Sequence, residues 1–286
     1  MLSTNVTEIM TTEVITADAS STIFAVMEVM AAKNVGRVVI TEGGATAGIF
    51  TEHDVVRRVM NKKLDPKKTG VKKVMTSPIR TVGEESHIVE ALGKMYRAKF
   101  RHLPVRAKNG AIVGMISMRR ILKLAVELGK GLPDTKTIGS IMSGNLVTVD
   151  ASQAIYETIE TTVKTDTNAV IVLSGGQPKG IFTERDVLKR VAVGDPDPRS
   201  APIREVMTAD FVTMPETALI GEVLAEMYQR GFRHIPIRGA GNKLVGIVSM
   251  RDVLKYAKAL DVDENVRKTW KEIEEFWDSE DQYTPG

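Results

Sequence analysis

Apolar positions along the chain follow two periods. Ile23, Val26, Met27, Met30 and Ala31 fall at i, i+3, i+4, i+7 and i+8, the stripe of a helix that buries one face. Ile88, Ala91, Leu92, Met95 and Tyr96 repeat the spacing, as do Ile220, Val223, Leu224, Met227 and Tyr228. A short β-branched stretch precedes such helices, for example Val14-Ile-Thr or Phe211-Val-Thr, and predicts a strand. After the helix come two strands around a glycine turn, Thr41-Glu-Gly-Gly or Lys108-Asn-Gly. Asp18, Ser20 and Ser21 are the candidate caps of the first helix. A final helix opens at a Thr/Ser-x-x-Asp step and turns Val55, Val56 and Val59 inward. The predicted unit is β-α-β-β-α, an α+β arrangement. Its small sheet buries one face when alone, so units should pack in pairs.

The unit recurs four times. Glu8-Ile-Met-Thr, Lys73-Val-Met-Thr, Ser140-Ile-Met-Ser and Glu205-Val-Met-Thr place Met10, Met75, Met142 and Met207 at spacings of 65, 67 and 65. The corners Gly48-Ile-Phe-Thr-Glu-His-Asp, Gly114-Met-Ile-Ser-Met-Arg-Arg, Gly180-Ile-Phe-Thr-Glu-Arg-Asp and Gly246-Ile-Val-Ser-Met-Arg-Asp keep Thr51, Ser117, Thr183 and Ser249 66 residues apart. The first and third copies, and the second and fourth, are more alike, so an A–B pair has been duplicated. Residue boundaries of 8–61, 72–126, 138–193 and 204–259 follow, with an acidic tail over 262–286.

Composition narrows the chemistry. The 286 residues contain no cysteine and four histidines, which excludes disulfides, thiolate catalysis and cysteine–zinc sites. No metal site is expected. A length of 286 predicts about two domains at roughly 100–200 residues each. The first residues show neither a basic region nor an apolar run, and no segment has the ~18 apolar residues of a membrane span. A cytoplasmic protein with no membrane partner is expected. The net charge of +3 is uneven: residues 261–286 carry nine acids against three bases, leaving +9 on the rest. A basic body suggests an anionic partner.

The repeated corner has chemistry of its own. A hydroxyl where a strand gives way to a helix can cap the helix or contact phosphate, and an aspartate one turn on can accept bonds from vicinal hydroxyls. That pairing suits a nucleoside monophosphate, although the same residues also spell a capping box. Arg101-His102 and Arg233-His234 start equivalent strands and can meet an anion; Arg37 stands at the His102 position in the first copy and Ala169 in the third.

These motifs together resemble cystathionine-β-synthase-type (CBS) domains, over nearly the whole chain. The resemblance implies pairing into two Bateman modules in a flat disc, an organisation similar to that of the regulatory γ subunit of AMP-activated protein kinase. It implies adenine-nucleotide sensing (AMP, ADP or ATP) without catalysis and without a catalytic cofactor. Asp54, Asp186 and Asp252 would hold ribose; Thr51, Thr183 and Ser249 would contact phosphate; Arg37, Arg101, His102, Arg233 and His234 would supply positive charge. Ile15, Val147 and Val212 would offer backbone groups to adenine, with Met10, Met142 and Met207 nearby. The second copy departs from the pattern. Beside Ser117 it carries Arg120 where the ribose aspartate belongs, so an ordinary nucleotide pose should fail there.

Other functions find less support. The phosphate-loop, dinucleotide and nucleophile-elbow glycine motifs are absent, and no catalytic residues are expected. Nucleic-acid binding is the main alternative, through the basic linker Lys62-Lys63-Leu-Asp-Pro-Lys67-Lys68-Thr-Gly-Val-Lys72-Lys73, which lacks aromatics for base stacking. Sensing of S-adenosylmethionine is another. Val266, Trp270, Ile273 and Trp277 predict an amphipathic helix in the tail, suited to docking on the chain itself or on a partner. An unidentified protein target, reading a reorientation of the modules, and a homodimer complete the expected partners.

Overall fold

The computed structural model describes residues 5–98, 100–121 and 136–253; the predicted tail helix lies outside the described residues. The four copies form four three-stranded sheets, each with one parallel and one antiparallel pairing. The first sheet holds β1 (Thr16–Asp18), β2 (Arg37–Glu42) and β3 (Ala45–Thr51), with helix α1 (Ile23–Ala32) crossing between β1 and β2. The second holds β4 (Val82–Gly83), β5 (His102–Arg106) and β6 (Ile112–Ser117), with α2 (Ile88–Arg97). The third holds β7 (Thr148–Asp150), β8 (Ala169–Ser174) and β9 (Gln177–Thr183), with α3 (Ile155–Lys164). The fourth holds β10 (Met214–Pro215), β11 (His234–Arg238) and β12 (Leu244–Ser249), with α4 (Ile220–Arg230).

Local chemistry accounts for these elements. Gly43 and Gly44, at φ +58° and +81°, make the two-residue turn that joins β2 to β3, a conformation side chains with a Cβ rarely adopt. Thr22, rather than Asp18, Ser20 or Ser21, caps α1: its side chain accepts the Ala25 N–H at 3.2 Å. Asp18 is occupied one step earlier, accepting the Ser20 N–H at 2.9 Å in a tight turn. The first strands also start later than β-branched composition suggests. Val14 and Ile15 precede β1, and Phe211 and Val212 precede β10, because pairing with β2 and β11 begins only at Thr16 and Met214. After each Thr-Glu-x-Asp corner the helix widens into a π turn, Val55–Met60 and Val187–Ala192.

Two compact units result, and each draws alternate copies. One comprises residues 14–79 and 145–212, the bodies of copies one and three. Its core includes Ile23, Met27, Phe50 and Val59 with Ile155, Ile159, Phe182 and Val191. The other comprises residues 1–13, 80–144 and 213–286, with a core including Ile88, Met95, Leu103 and Ile116 beside Ile220, Met227, Ile235 and Val248. The methionine-bearing heads do not pack on the copy that follows them in sequence. Met75 lies over Gly48 of β3, Met10 over Gly114 of β6, Met207 over Gly180 of β9 and Met142 over Gly246 of β12. The adjoining backbone pairs as well: Thr11 bridges Met115, Thr76 bridges Ile49, Ser143 bridges Ile247 and Thr208 bridges Ile181. A Cβ at Gly48 would stand 2.8 Å from the Thr76 carbonyl oxygen, so the close approach depends on glycine.

Candidate functional site: four strand-to-helix corners

Each corner begins where the last strand of a sheet ends. Antiparallel register sets the basic strand residue directly across from the corner hydroxyl: Arg37 opposite Thr51, His102 opposite Ser117 and His234 opposite Ser249. Ala169 takes that position opposite Thr183. In the first copy the Glu52 N–H then donates to the Gly36 carbonyl at 3.0 Å, and in the second the Met118 N–H donates to the Arg101 carbonyl at 2.9 Å. Arg101 and Arg233 sit one residue before this pairing and are half-buried.

The aspartates turn back onto the hydroxyls. Thr51 donates both its N–H and its Oγ1–H to Asp54 Oδ2, at 2.9 and 2.7 Å. Thr183 does the same to Asp186 at 2.9 and 2.7 Å, and Ser249 to Asp252 at 2.8 and 2.7 Å. The capping box is therefore real in three copies. Asp54 and Asp186 are only 3% and 8% exposed. Burial pushes the Asp54 carboxyl above its ordinary value, opposed by the Thr51 hydroxyl and the Arg58 guanidinium.

Four residues that the sequence reading did not single out complete the two corners of the first unit. Thr76 and Thr208, from the packed heads, place Oγ1 at 3.4 Å from Asp54 Oδ1 and 3.1 Å from Asp186 Oδ1. Arg58 lies 3.3 Å from Asp54 Oδ1 and donates to the Val74 and Met75 carbonyls at 3.1 and 3.0 Å. Arg190 repeats this on Asp186, Val206 and Met207. Their signal in the sequence is an arginine four residues after the aspartate, recurring at an offset of 132. The residues between hydroxyl and aspartate cross-link the two copies: His53 Nδ1 meets Glu184 Oε1 at 2.9 Å, and Arg185 Nε meets Glu52 Oε1 at 3.4 Å.

The expected adenine-side residues share one position in the register. Ile15 and Val147 are equivalent by register, and their carbonyls accept the Val39 and Ile171 N–H groups at 2.9 Å. Counted from the corner glycine, Val82 opposite Val105 and Met214 opposite Ile237 match Ala17 opposite Ile40, so Arg80 and Val212 take this position in the other two copies. Met10, Met142 and Met207 are half-buried on the neighbouring sheets already described. Among the described residues no group of three or more His, Asp or Glu could hold a metal ion, and no helix is long and apolar enough to cross a membrane.

The CBS domain family model matches residues 6–61, 71–127, 138–193 and 203–259. The chain belongs to the CBS domain family. It is 25% identical to CBS domain-containing protein CBSCBSPB1 of Arabidopsis thaliana, over 95% of this chain and 58% of that one. CBSCBSPB3 from the same plant is 28% identical over 93% of this chain and 55% of its own length. The chain thus spans about half the length of the curated relatives it matches. Among solved structures, protein MJ1225 from Methanocaldococcus jannaschii, a proposed archaeal homolog of g-AMPK, aligns with a TM-score of 0.77 at 18% identity. The alignment covers 88% of this chain and 99% of that one. An uncharacterized conserved protein from Pyrococcus horikoshii aligns with a TM-score of 0.60 at the same identity and coverage. At such identity the likeness is one of fold, and it extends over the four CBS copies.

Proposed function

We propose that the chain is a non-catalytic regulatory sensor that binds adenine nucleotides at its Asp-bearing corners. The reading is carried by the Thr/Ser–Asp corner in copies one, three and four. It sets a carboxylate and a hydroxyl side by side, with Arg37 or His234 across the strand in two of the three. A vicinal diol would donate to the carboxylate, and a phosphate would take the hydroxyl and the cation. Membership of the CBS family supports a regulatory role, as do relatives named only as CBS domain-containing proteins. Occupancy changes the balance between conformations that a protein partner reads, by no more than the ligand's differential affinity for them. A cytoplasmic location fits this role.

The experiment is titration of the full chain with AMP, ADP, ATP and S-adenosylmethionine, followed by calorimetry and thermal unfolding. One site held at 100 times Kd adds about 2.7 kcal/mol of stability. Asp186→Ala and Asp252→Ala should each weaken a site by about 10-fold or more, the value of a hydrogen bond to a charged group. Binding of none of the four ligands, or unchanged binding in both variants, would remove the adenine-nucleotide reading. Tighter binding of S-adenosylmethionine than of AMP would redirect it to that ligand.

The nucleic-acid alternative loses ground on the linker. Lys72 pairs with Glu42 at 2.6 Å, Lys63 with Glu160 at 2.9 Å and Lys68 with Asp65 at 3.7 Å, while Lys67 lies 4.9 Å from the Phe24 ring centre. Four of its six lysines are therefore already engaged within their own unit.

A further inference from the structure

The first turns of the four unit helices are not covered alike. In α1 the Ile23 and Phe24 N–H groups donate to the Thr69 and Pro66 carbonyls at 2.9 and 3.0 Å. In α3 Ile155 and Tyr156 donate to the Ala201 and Pro198 carbonyls at 3.1 and 2.9 Å. Chain that leaves the end of a copy thus folds back over these helices. In α4 the Ile220 N–H donates to the Lys136 carbonyl at 3.2 Å, from chain that follows copy two. In α2 the Ile88 and Val89 N–H groups have no partner among the described residues. The side chains agree. The fifth residue of the helix is 0% exposed at Met27, Ile159 and Leu224, whereas Leu92 is only half-buried. Val89, one turn before it, is half-buried as well.

Path and charge select an occupant for this face. Val253 stands 132 residues after Ile121 and belongs to the same core. Chain leaving copy two at Ile121 reaches α4, so chain leaving copy four at Val253 has the equivalent path to α2. The unit holding α2 and α4 carries, up to residue 260, 19 basic and 11 acidic side chains, a charge of +8. The other unit carries 17 and 16, a charge of +1, while residues 261–286 carry −6.

We propose that the acidic tail, residues 262–286, docks on α2 of its own unit, laying Trp270 and Trp277 against Leu92 and Val89. Docking removes apolar surface of both partners from water, and the basic unit attracts the acids around the tryptophans. The tether holds the tail at an effective concentration of roughly millimolar, so a contact of this size suffices. The tail does for α2 what chain between copies does for the other three helices. Nothing in this assignment depends on the nucleotide reading of the corners.

Trp270 and Trp277 are the chain's only tryptophans, so the fluorescence of the full chain reports on the tail alone. Docking gives blue-shifted emission that is shielded from acrylamide and independent of protein concentration. Leu92→Ser and high salt should each shift that emission back to the red. The double change Trp270→Ser with Trp277→Ser leaves the four copies intact. It should speed amide exchange at residues 89–92 about 10-fold, with residues 221–224 of α4 unchanged. That pattern confirms the proposal, and the tail variant decides it alone if Leu92→Ser fails to fold. Solvent-exposed tryptophans with unchanged exchange in α2 overturn it. Shielding that appears only as protein concentration rises overturns it too, because a second copy is then the occupant. Shielding that leaves α2 exchange the same in the tail variant places the tail elsewhere and equally sinks the assignment.

Discussion

Copies one and three close their corners, whereas copies two and four leave theirs open. Asp54 and Asp186 are buried, and each is held by its own threonine, by a head threonine and by an arginine four residues on. Asp252 is half-buried and, among the described residues, is held by Ser249 alone. Ser117 has no aspartate at all. One turn geometry thus supports three electrostatic states. A diol entering the first or third corner competes with protein donors, at the fourth it meets a carboxylate with an unoccupied oxygen, and at the second it meets cations. Repetition preserved the backbone and let the side chains diverge.

The cores diverge in a compensated way. Across the strand pair Phe50 faces Val38 and Phe182 faces Val170, whereas Ile116 faces Leu103 and Val248 faces Ile235. A large residue on one strand accompanies a small one on its partner, which keeps volume near constant. The largest expected effect therefore comes from breaking this balance. Phe182→Ala should cost about 3–5 kcal/mol in chemical denaturation, because the ring is fully buried. The double change Val170→Ile with Phe182→Val copies the fourth unit and should lose much less. Equal losses would show that the pairing is not complementary.

Next in size is the glycine under each head methionine. Gly246→Val would drive side-chain carbon against the Ser143 carbonyl oxygen, 2.7 Å from an ideal Cβ, and Gly180→Val against the Thr208 carbonyl oxygen at 2.9 Å. Overpacking of this kind should cost about 1–3 kcal/mol, read as a fall in denaturation midpoint. If the heads packed on their own copies instead, neither change would matter more than a surface substitution.

The heads also show where sequence reasoning ran out. The 66-residue period, the helix faces and the corner hydroxyls were legible because each is a local pattern repeated four times. Ile88, Ala91 and Met95 are buried as their spacing predicts, and the Thr51–Asp54 box forms as three-residue spacing allows. Which sheet receives Met10 is a long-range choice, and proximity in sequence points to the wrong copy. Its trace was Gly114, whose missing Cβ makes room for that methionine. The cap of α1 was missed for a related reason: Asp18 had a nearer N–H to accept, at Ser20, and left the helix end to Thr22. Arg58 and Arg190 were not singled out, because nothing local shows that the Val74, Met75, Val206 and Met207 carbonyls lie beneath them.

Arg190→Ala sharpens the contrast between closed and open corners. The arginine is partly exposed, so screening reduces its ion pair, but its bonds to the Val206 and Met207 carbonyls hold the head in place. A loss of about 1–2 kcal/mol is expected. The same change removes a competitor from Asp186 Oδ1, so adenosine should bind this corner more tightly while the chain becomes less stable. Opposite signs in the two measurements distinguish a closed corner from a merely weakened one.

The smallest effect is a pH dependence confined to Asp54. Burial raises its folded-state value above the ordinary 3.8, so the folded chain holds this proton more tightly than the unfolded chain does. Between 3.8 and the raised value the unfolded state has lost the proton and the folded state has kept it. Stability from this group therefore falls as pH rises through that window, and the full cost of the buried charge is present above it. Asp54→Asn keeps an oxygen for the Thr51 N–H and carries no charge, so its stability relative to wild type should rise with pH across the window and level off above it. Denaturation midpoints of the two proteins at half-unit pH steps measure the difference. A constant difference would mean that Thr51 and Arg58 offset the cost of burial at Asp54, and that the closed corner holds its carboxylate as easily as an open one.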